Sequence, residues 1–261
     1  MAVEVPSESH PRPFEFISSL VMDTLPPELI LHLIPFFPLT SLIAARGVST
    51  QWRSFAQIAS LHPARKALLD LYLAAIVHPN FPSLVYELRP HVREFDRETY
   101  ITDLKSRGCV FPDVFELWVP EWPSKAVHFW AWPGFAYDFA IDHDYYLDWG
   151  NLLSGPAVAI DTIPVPKKEG ESEGKTCRGL ALWGVQLWMV KLWLVVDENE
   201  SINDRRAGRL LWTETDHDGR LHKTGQPMRS LNDMPFKADS LTDFLGTLDV
   251  RRDRIYDALE K

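Results

Sequence analysis

Carboxylate and imidazole come together at Asp142-His143-Asp144 and again at Asp216-His217-Asp218-Gly219, the donor types that metal centres use. The spacing does not make a site. Adjacent residues on a strand or helix point apart, and no His-x-x-x-His or Glu-x-x-His accompanies the first group. The second sits in a turn marked by Asp218-Gly219. Both read as polar loops, so no metal and no cofactor is expected. The phosphate-cradling glycine loop is absent, which leaves the P-loop without support, and the Gly-x-Ser-x-Gly spacing at Gly170–Gly174 falls inside PKKEGESEGK, a polar, glycine-bearing loop between two strands with no strand-to-helix turn to make it a nucleophile elbow. Cys109 and Cys177 stand alone, with no Cys-x-x-Cys pairing, which argues against a disulfide framework or a thiolate zinc site. No catalytic residue is identified, and the chain is read as a non-enzyme.

Recognition is the chemistry left over. The sequence holds ten tryptophans, and Trp118, Trp122, Trp130, Trp132 and Trp149 crowd one proline-punctuated stretch. Tryptophan buries much area with few rotatable bonds, which favours it at binding hot spots. The prolines hold this segment in extended or turn conformations. The expectation is that Trp122 and Trp132 line a target-binding groove while Trp118 packs inward.

The elements that must position such a surface follow from composition and pattern. The chain has 261 residues, 46% of them hydrophobic and 24% charged, ordinary values for a globular protein. Its net charge of −9 is concentrated after residue 78, which makes phosphate neutralisation and nucleic-acid binding a poor fit. The N-terminus lacks the basic and apolar regions of a secretory signal. The longest apolar stretch, Leu180 to Val196, is interrupted by Gly184, Gln186 and Lys191, so no membrane span is expected. These readings imply a cytoplasmic or nuclear protein.

The spacing predicts three parts: a flexible leader at 1–22, a helical module at 23–78 and a larger body at 79–261. Leu29, Ile30, Leu33, Ile34 and Phe37 form one wide apolar face. Pro35 should end or kink this first helix. Pro38 opens a second that Gly47 stops, Ser49 caps a third, and Pro63 starts a fourth that His78-Pro79 ends. HPNFPSLVYELRP reads as a connection, DRETYITDLKSRG as a helix closed by Gly108, and FPDVFELWVPEWP as one or two turns joining Phe115 to Trp118. Beyond Pro123 the pattern predicts strands at KAVHFWAW, GPAVAIDTI, AGRLLWTET and one long run, LALWGVQLWMVKLWLVVDE. In that run Trp183, Trp188 and Trp193 fall on both faces, as in a central strand buried twice. A closing helix, ADSLTDFLGTL, completes an α+β protein.

Residues 25 to 56, LPPELILHLIPFFPLTSLIAARGVSTQWRSFA, resemble the F-box. Leu25-Pro26, Glu28-Leu29, Leu33, Leu42, Val48, Trp52 and Arg53 follow the family pattern without a gap. Pro35, Ser49 and the loop Pro38-Leu39-Thr40-Ser41 depart from it. The resemblance implies a helical module that docks on a Skp-family adaptor through Leu25, Pro26, Leu29, Leu33, Ile34, Leu42, Val48 and Trp52. That adaptor would bridge to a cullin scaffold and a ubiquitin-charging enzyme. A module of about 40 residues buries little surface of its own, in keeping with a need for a partner. The run LWLVVDENES…AGRLLWTETDHDG…KADSLTDFLGTL is similar to the end of the Smi/Knr-type (SUKH) fold, with Asp239-Ser240 and Phe244-Leu245 as the matching residues. This implies a protein-binding antiparallel sheet with flanking helices. The expected function is therefore a substrate receptor of a cullin-RING ligase, and the alternative is a scaffold that uses the same helices without delivering a target.

Overall fold

The computed structural model describes residues 25–129, 131–136, 149–154, 158–164, 176–185, 190–196, 210–214, 240–242 and 245. The architecture is α+β, with helices first and, among the described residues, a five-stranded antiparallel sheet after them. The chain divides into two units, Met1–Phe37 with Ser41–Leu61, and Pro38–Thr40 with His62–Lys261. The leader at 1–22 lies outside the described residues.

In the smaller unit, α1 (Pro27–Leu33) begins with proline at its first position, where the missing N–H has no intrahelical acceptor to lose. Pro35 has the expected effect. The α-helix stops at Leu33, and Ile34–Phe36 forms a 3-10 turn closed by Phe37 N donating to Ile34 O at 3.0 Å. Next come α2 (Leu39–Val48), whose first two residues, Leu39 and Thr40, belong to the larger unit, and α3 (Thr50–Ile58), the latter capped by Ser49, whose Oγ accepts from Trp52 N at 3.2 Å. Gly47 does not stop α2, which runs on through Val48; among the described residues Gly108 is the glycine with positive φ, at 77°. Ile30, Ile34, Leu42, Ala45, Trp52 and Phe55 form one small core, against which Leu25, Leu31, Phe37, Ala59 and Leu61 pack partly buried.

The larger unit starts earlier than residue 79. Helix α4 (Pro63–Val77) belongs to it, because Arg65 pairs with Glu121 at 2.7 Å and Tyr72 meets Trp122 edge-on at 6.0 Å. His78 does end this helix. The segment HPNFPSLVYELRP is not a plain connection, since Phe81–Leu88 forms α5. Its prolines sit at the first turn and just past the end, the two places a helix tolerates them. Helix α6 (Arg97–Ser106) is capped by Asp96, and Gly108 ends the segment in the left-handed conformation that only glycine adopts cheaply. Helix α7 (Asp113–Glu121) brings Phe115 and Trp118 to 5.9 Å between ring centroids.

KAVHFWAW contains no strand among its described residues. Ser124–Ala126 is a 3-10 turn, and the buried Val127, His128 and Phe129 follow without alternation. A half-exposed strand would turn every second residue to solvent; here consecutive rings fill an aromatic cluster instead. The sheet comprises β1 (Trp149–Asn151), β2 (Ile160–Pro164), β3 (Thr176–Val185), β4 (Val190–Val195) and β5 (Leu210–Glu214). The run read as one long strand is two, with β3 and β4 paired antiparallel. Gly184, Gln186 and Lys191 mark where the apolar pattern breaks. On its other side β3 pairs with β1 near Val185 and with β2 near Thr176, so two short strands share one edge. A register shift between Ala181 and Trp183 leaves Leu182 as a bulge.

Leu192, Trp193, Leu194 and Val195 are all buried, so β4 is covered on both faces as a central strand should be. Gly179 permits this packing: a Cβ there would lie 2.8 Å from Ile163 Cδ1 and 3.3 Å from Trp193. Trp188 and most of the closing helix lie outside the described residues. Within that segment Leu241, Thr242 and Leu245 are helical, and both leucines are buried.

Candidate functional site

The small unit divides its apolar residues sharply. Ile34 and Leu42 are fully buried and Trp52 is nearly so. These three were expected to touch an adaptor, and the structure corrects this. They are the interior of a three-helix module, unreachable without unfolding it, and their part in any docking is to hold the outer residues in place. Leu25 is half-buried against the same core. Pro26, Leu29, Leu33 and Val48 face outward. Leu29 is 49% exposed, Leu33 42% and Val48 63%, large values for branched aliphatic side chains. Leu29 and Leu33 are four residues apart on α1, hence neighbours on one helix face. The neighbouring Phe36, 81% exposed, was not singled out from the sequence. The adjacent Pro35 was the available signal, since a proline-tightened turn changes which way the next side chain points.

The expected target groove is overturned. Trp122 and Trp132 are both fully buried, as is Trp118. Trp122 Nε1 donates to Ala126 O at 3.1 Å, and its ring lies against Tyr72, His128 and Phe129. Trp132 meets Trp118 edge-on at 5.2 Å and touches Phe95 and Phe129. The prolines of this segment terminate elements around a core. They do not splay side chains into solvent.

The Arg65–Glu121 pair and Arg97 organise the same region, and neither was read from the sequence. Glu121, at the end of α7, accepts from Arg65 Nη2 and Nε at 2.7 and 2.9 Å and from Leu39 N at 2.7 Å. Side-chain exposure is 16% for Arg65 and 12% for Glu121, so the bidentate geometry works in a poorly solvated setting. The hydrogen bond to Glu121 holds the Arg65 guanidinium above its ordinary range. Arg97 has a different environment. Its Nη1 donates to the carbonyls of Val119, Pro120 and Trp122, at 3.3, 3.3 and 2.5 Å, where α7 ends. The same guanidinium lies 5.0 Å from the Trp132 ring centroid and 6.0 Å from that of Phe95. Burial lowers its pKa from a very high starting point, so it stays charged. A cation there complements the negative end of the helix dipole.

Helix α6 is tied to the sheet region by donors that seek main-chain carbonyls. Tyr100 OH donates to Leu153 O at 2.9 Å and Arg107 Nη1 to Val158 O at 3.1 Å, while Arg178 on β3 donates to Gly108 O at 2.8 Å and Arg107 O at 3.1 Å. Burial pushes the Tyr100 phenol above its ordinary range. Asn151 Nδ2 donates to Trp132 O, pinning β1 to the aromatic cluster.

The residues Asp142-His143-Asp144 and Asp216-His217-Asp218 lie outside the described residues. Among those described, no group of three or more His, Cys, Asp or Glu is placed to hold a metal ion, and no single helix is long and apolar enough to cross a membrane. Cys109 and Cys177 are buried and form no disulfide. Comparison with known proteins finds no matching family model, no matching curated protein and no matching solved structure.

Proposed function

We propose that residues 23–63 dock this chain on a Skp-family adaptor and that the larger body holds a target protein, making it the substrate receptor of a cullin-RING ubiquitin ligase. The observation that carries the reading is the outward set Leu29, Leu33 and Val48 on a module whose own core is already filled by Ile30, Ile34, Leu42 and Trp52. These exposed residues coincide with positions at which the sequence resembles the F-box. Short helices that leave leucines in solvent have the form of a helix-in-groove recognition surface. The receptor contributes no chemistry of its own; it raises the effective concentration of target lysines near the charged ubiquitin carrier. The antiparallel sheet of the body supports the Smi/Knr-type reading and with it a protein-binding role.

The test is binding of the full chain to a recombinant Skp-family adaptor, followed by recovery of cullin from the same complex. Leu29→Ala and Leu33→Ala should each weaken adaptor binding by about 2 kcal/mol, roughly thirtyfold, if they are hot spots. Unchanged binding in the double variant would sink the docking assignment. Adaptor recovered without cullin would favour a scaffold role.

A further inference from the structure

We propose that Phe36 is a third anchor of the same docking face, seated in the same apolar groove of the adaptor as Leu29 and Leu33. The inference rests on the reading above and deepens it. Phe36 is 81% exposed, more than either leucine. An aromatic ring in water forfeits a large burial free energy, and Ile34 and Phe37, the first residue of its turn and the one that closes it, show that its placement is fixed. Ile34 is fully buried, and Phe37 packs partly buried on the module core. With Ile34 and Phe37 both held inward, the backbone of the Ile34–Phe36 turn has no freedom to rotate Phe36 under cover.

The turn geometry then sets direction. Side chains three residues apart eclipse one another in a 3-10 turn, whereas in a continued α-helix they diverge by about 60°. The tightening to 3-10 geometry at Ile34–Phe36 therefore swings Phe36 toward the side of Leu33, which is already one turn on from Leu29. Pro35, the residue that departs from the F-box pattern, causes the switch by removing an N–H from the helix ladder. The departure thus adds Phe36 to the exposed apolar residues Leu29 and Leu33. A partner groove that accepts the two leucines meets the ring next. This adjacency is the reason to assign it the same occupant.

The experiment titrates the full-length chain with a purified Skp-family adaptor by calorimetry, comparing wild type, Phe36→Ala, Phe36→Leu and Leu29→Ala. Phe36→Ala should weaken binding about tenfold to a hundredfold, the loss expected for an apolar anchor of this size. Phe36→Leu should recover most of that loss. The thermal midpoint should not move in either variant, because the side chain is solvated in the free protein. If Leu29→Ala weakens binding and Phe36→Ala leaves it within twofold, the anchor role is overturned while the docking reading stands. If wild type binds no adaptor, both fall. A concentration-dependent dimer in sedimentation that Phe36→Ala abolishes would also overturn the assignment, by making a second copy the occupant.

Discussion

Replacing Trp122 with alanine separates a core role from a recognition role. The indole is fully buried, with ring contacts to Tyr72 at 6.0 Å, Phe129 at 5.5 Å and His128 at 5.8 Å. Removing it opens a cavity whose walls come from α4, α7 and the segment after the Ser124–Ala126 turn, which cannot all collapse inward together. Trp-to-Ala changes in such settings cost about 3–5 kcal/mol. The lost hydrogen bond adds little, because Ala126 O also contacts His128 Nδ1 at 3.0 Å and so keeps a partner. Trp122→Phe keeps most of the ring and should cost about 1–2 kcal/mol. Urea unfolding of the full chain, followed by far-ultraviolet circular dichroism, reads both values. Native domains hold about 5–15 kcal/mol in reserve, so Trp122→Ala should remain folded at low temperature with a much reduced midpoint. A loss below about 1 kcal/mol for Trp122→Ala, with an unchanged denaturant slope, would refute the packing argument and return this residue to the list of surface anchors.

Two further outcomes follow from the charged groups. Arg65→Met leaves the Glu121 carboxylate poorly solvated with Leu39 N as its remaining donor, and should destabilise the chain by about 2–3 kcal/mol; combined with Glu121→Gln, which keeps an acceptor for Leu39, the loss should be clearly less than additive. Asp96 accepts from Thr99 N at 2.9 Å and Thr99 Oγ1 at 2.7 Å, and these bonds hold its carboxyl below the ordinary range. A depressed carboxylate stabilises fully above its unfolded pKa, near 4, and loses that contribution as pH falls further. The gap in thermal midpoint between wild type and Asp96→Asn should therefore shrink between pH 5 and pH 2.5, on the order of the carboxylate range, and a gap independent of pH would contradict the assignment.

Local punctuation was legible in the sequence because its physics is local. Pro35, Ser49, Pro63, His78 and Gly108 each act within one turn of themselves, and the structure places helix breaks or caps where they predict them. Strand pairing was less so. The stretch from Leu180 to Val196 is apolar but for Gly184, Gln186 and Lys191, and strands buried on both faces have no alternation to show that these residues mark a reversal. That hid the β3–β4 hairpin. Exposure was the least legible property. Trp122 and Phe36 are both aromatics beside a proline, yet one is wholly buried and the other is 81% exposed. What distinguishes them is Tyr72 on the distant α4, together with the fold-back that lays Phe129 on the Trp122 ring, a tertiary fact that no local pattern carries. The pair Arg65–Glu121 escaped for the same reason, being 56 residues apart.

Arg97 carries a consequence for ionic strength. Its partners are three carbonyls and two aromatic rings, so the groups that neutralise it are dipoles and quadrupoles with no net charge. Dissolved ions weaken attractions between solvated charges beyond about 8 Å at physiological strength. They have little purchase on a half-buried guanidinium held 2.5–3.3 Å from main-chain oxygens. The solvent-facing pair Lys66–Asp70 should fade as salt rises, while the junction of α6 with the end of α7 keeps its strength. In a chain of net charge −9, added salt also relieves the mutual repulsion of its surface carboxylates. Concentrated salt should therefore leave this part of the body as well held as dilute buffer does.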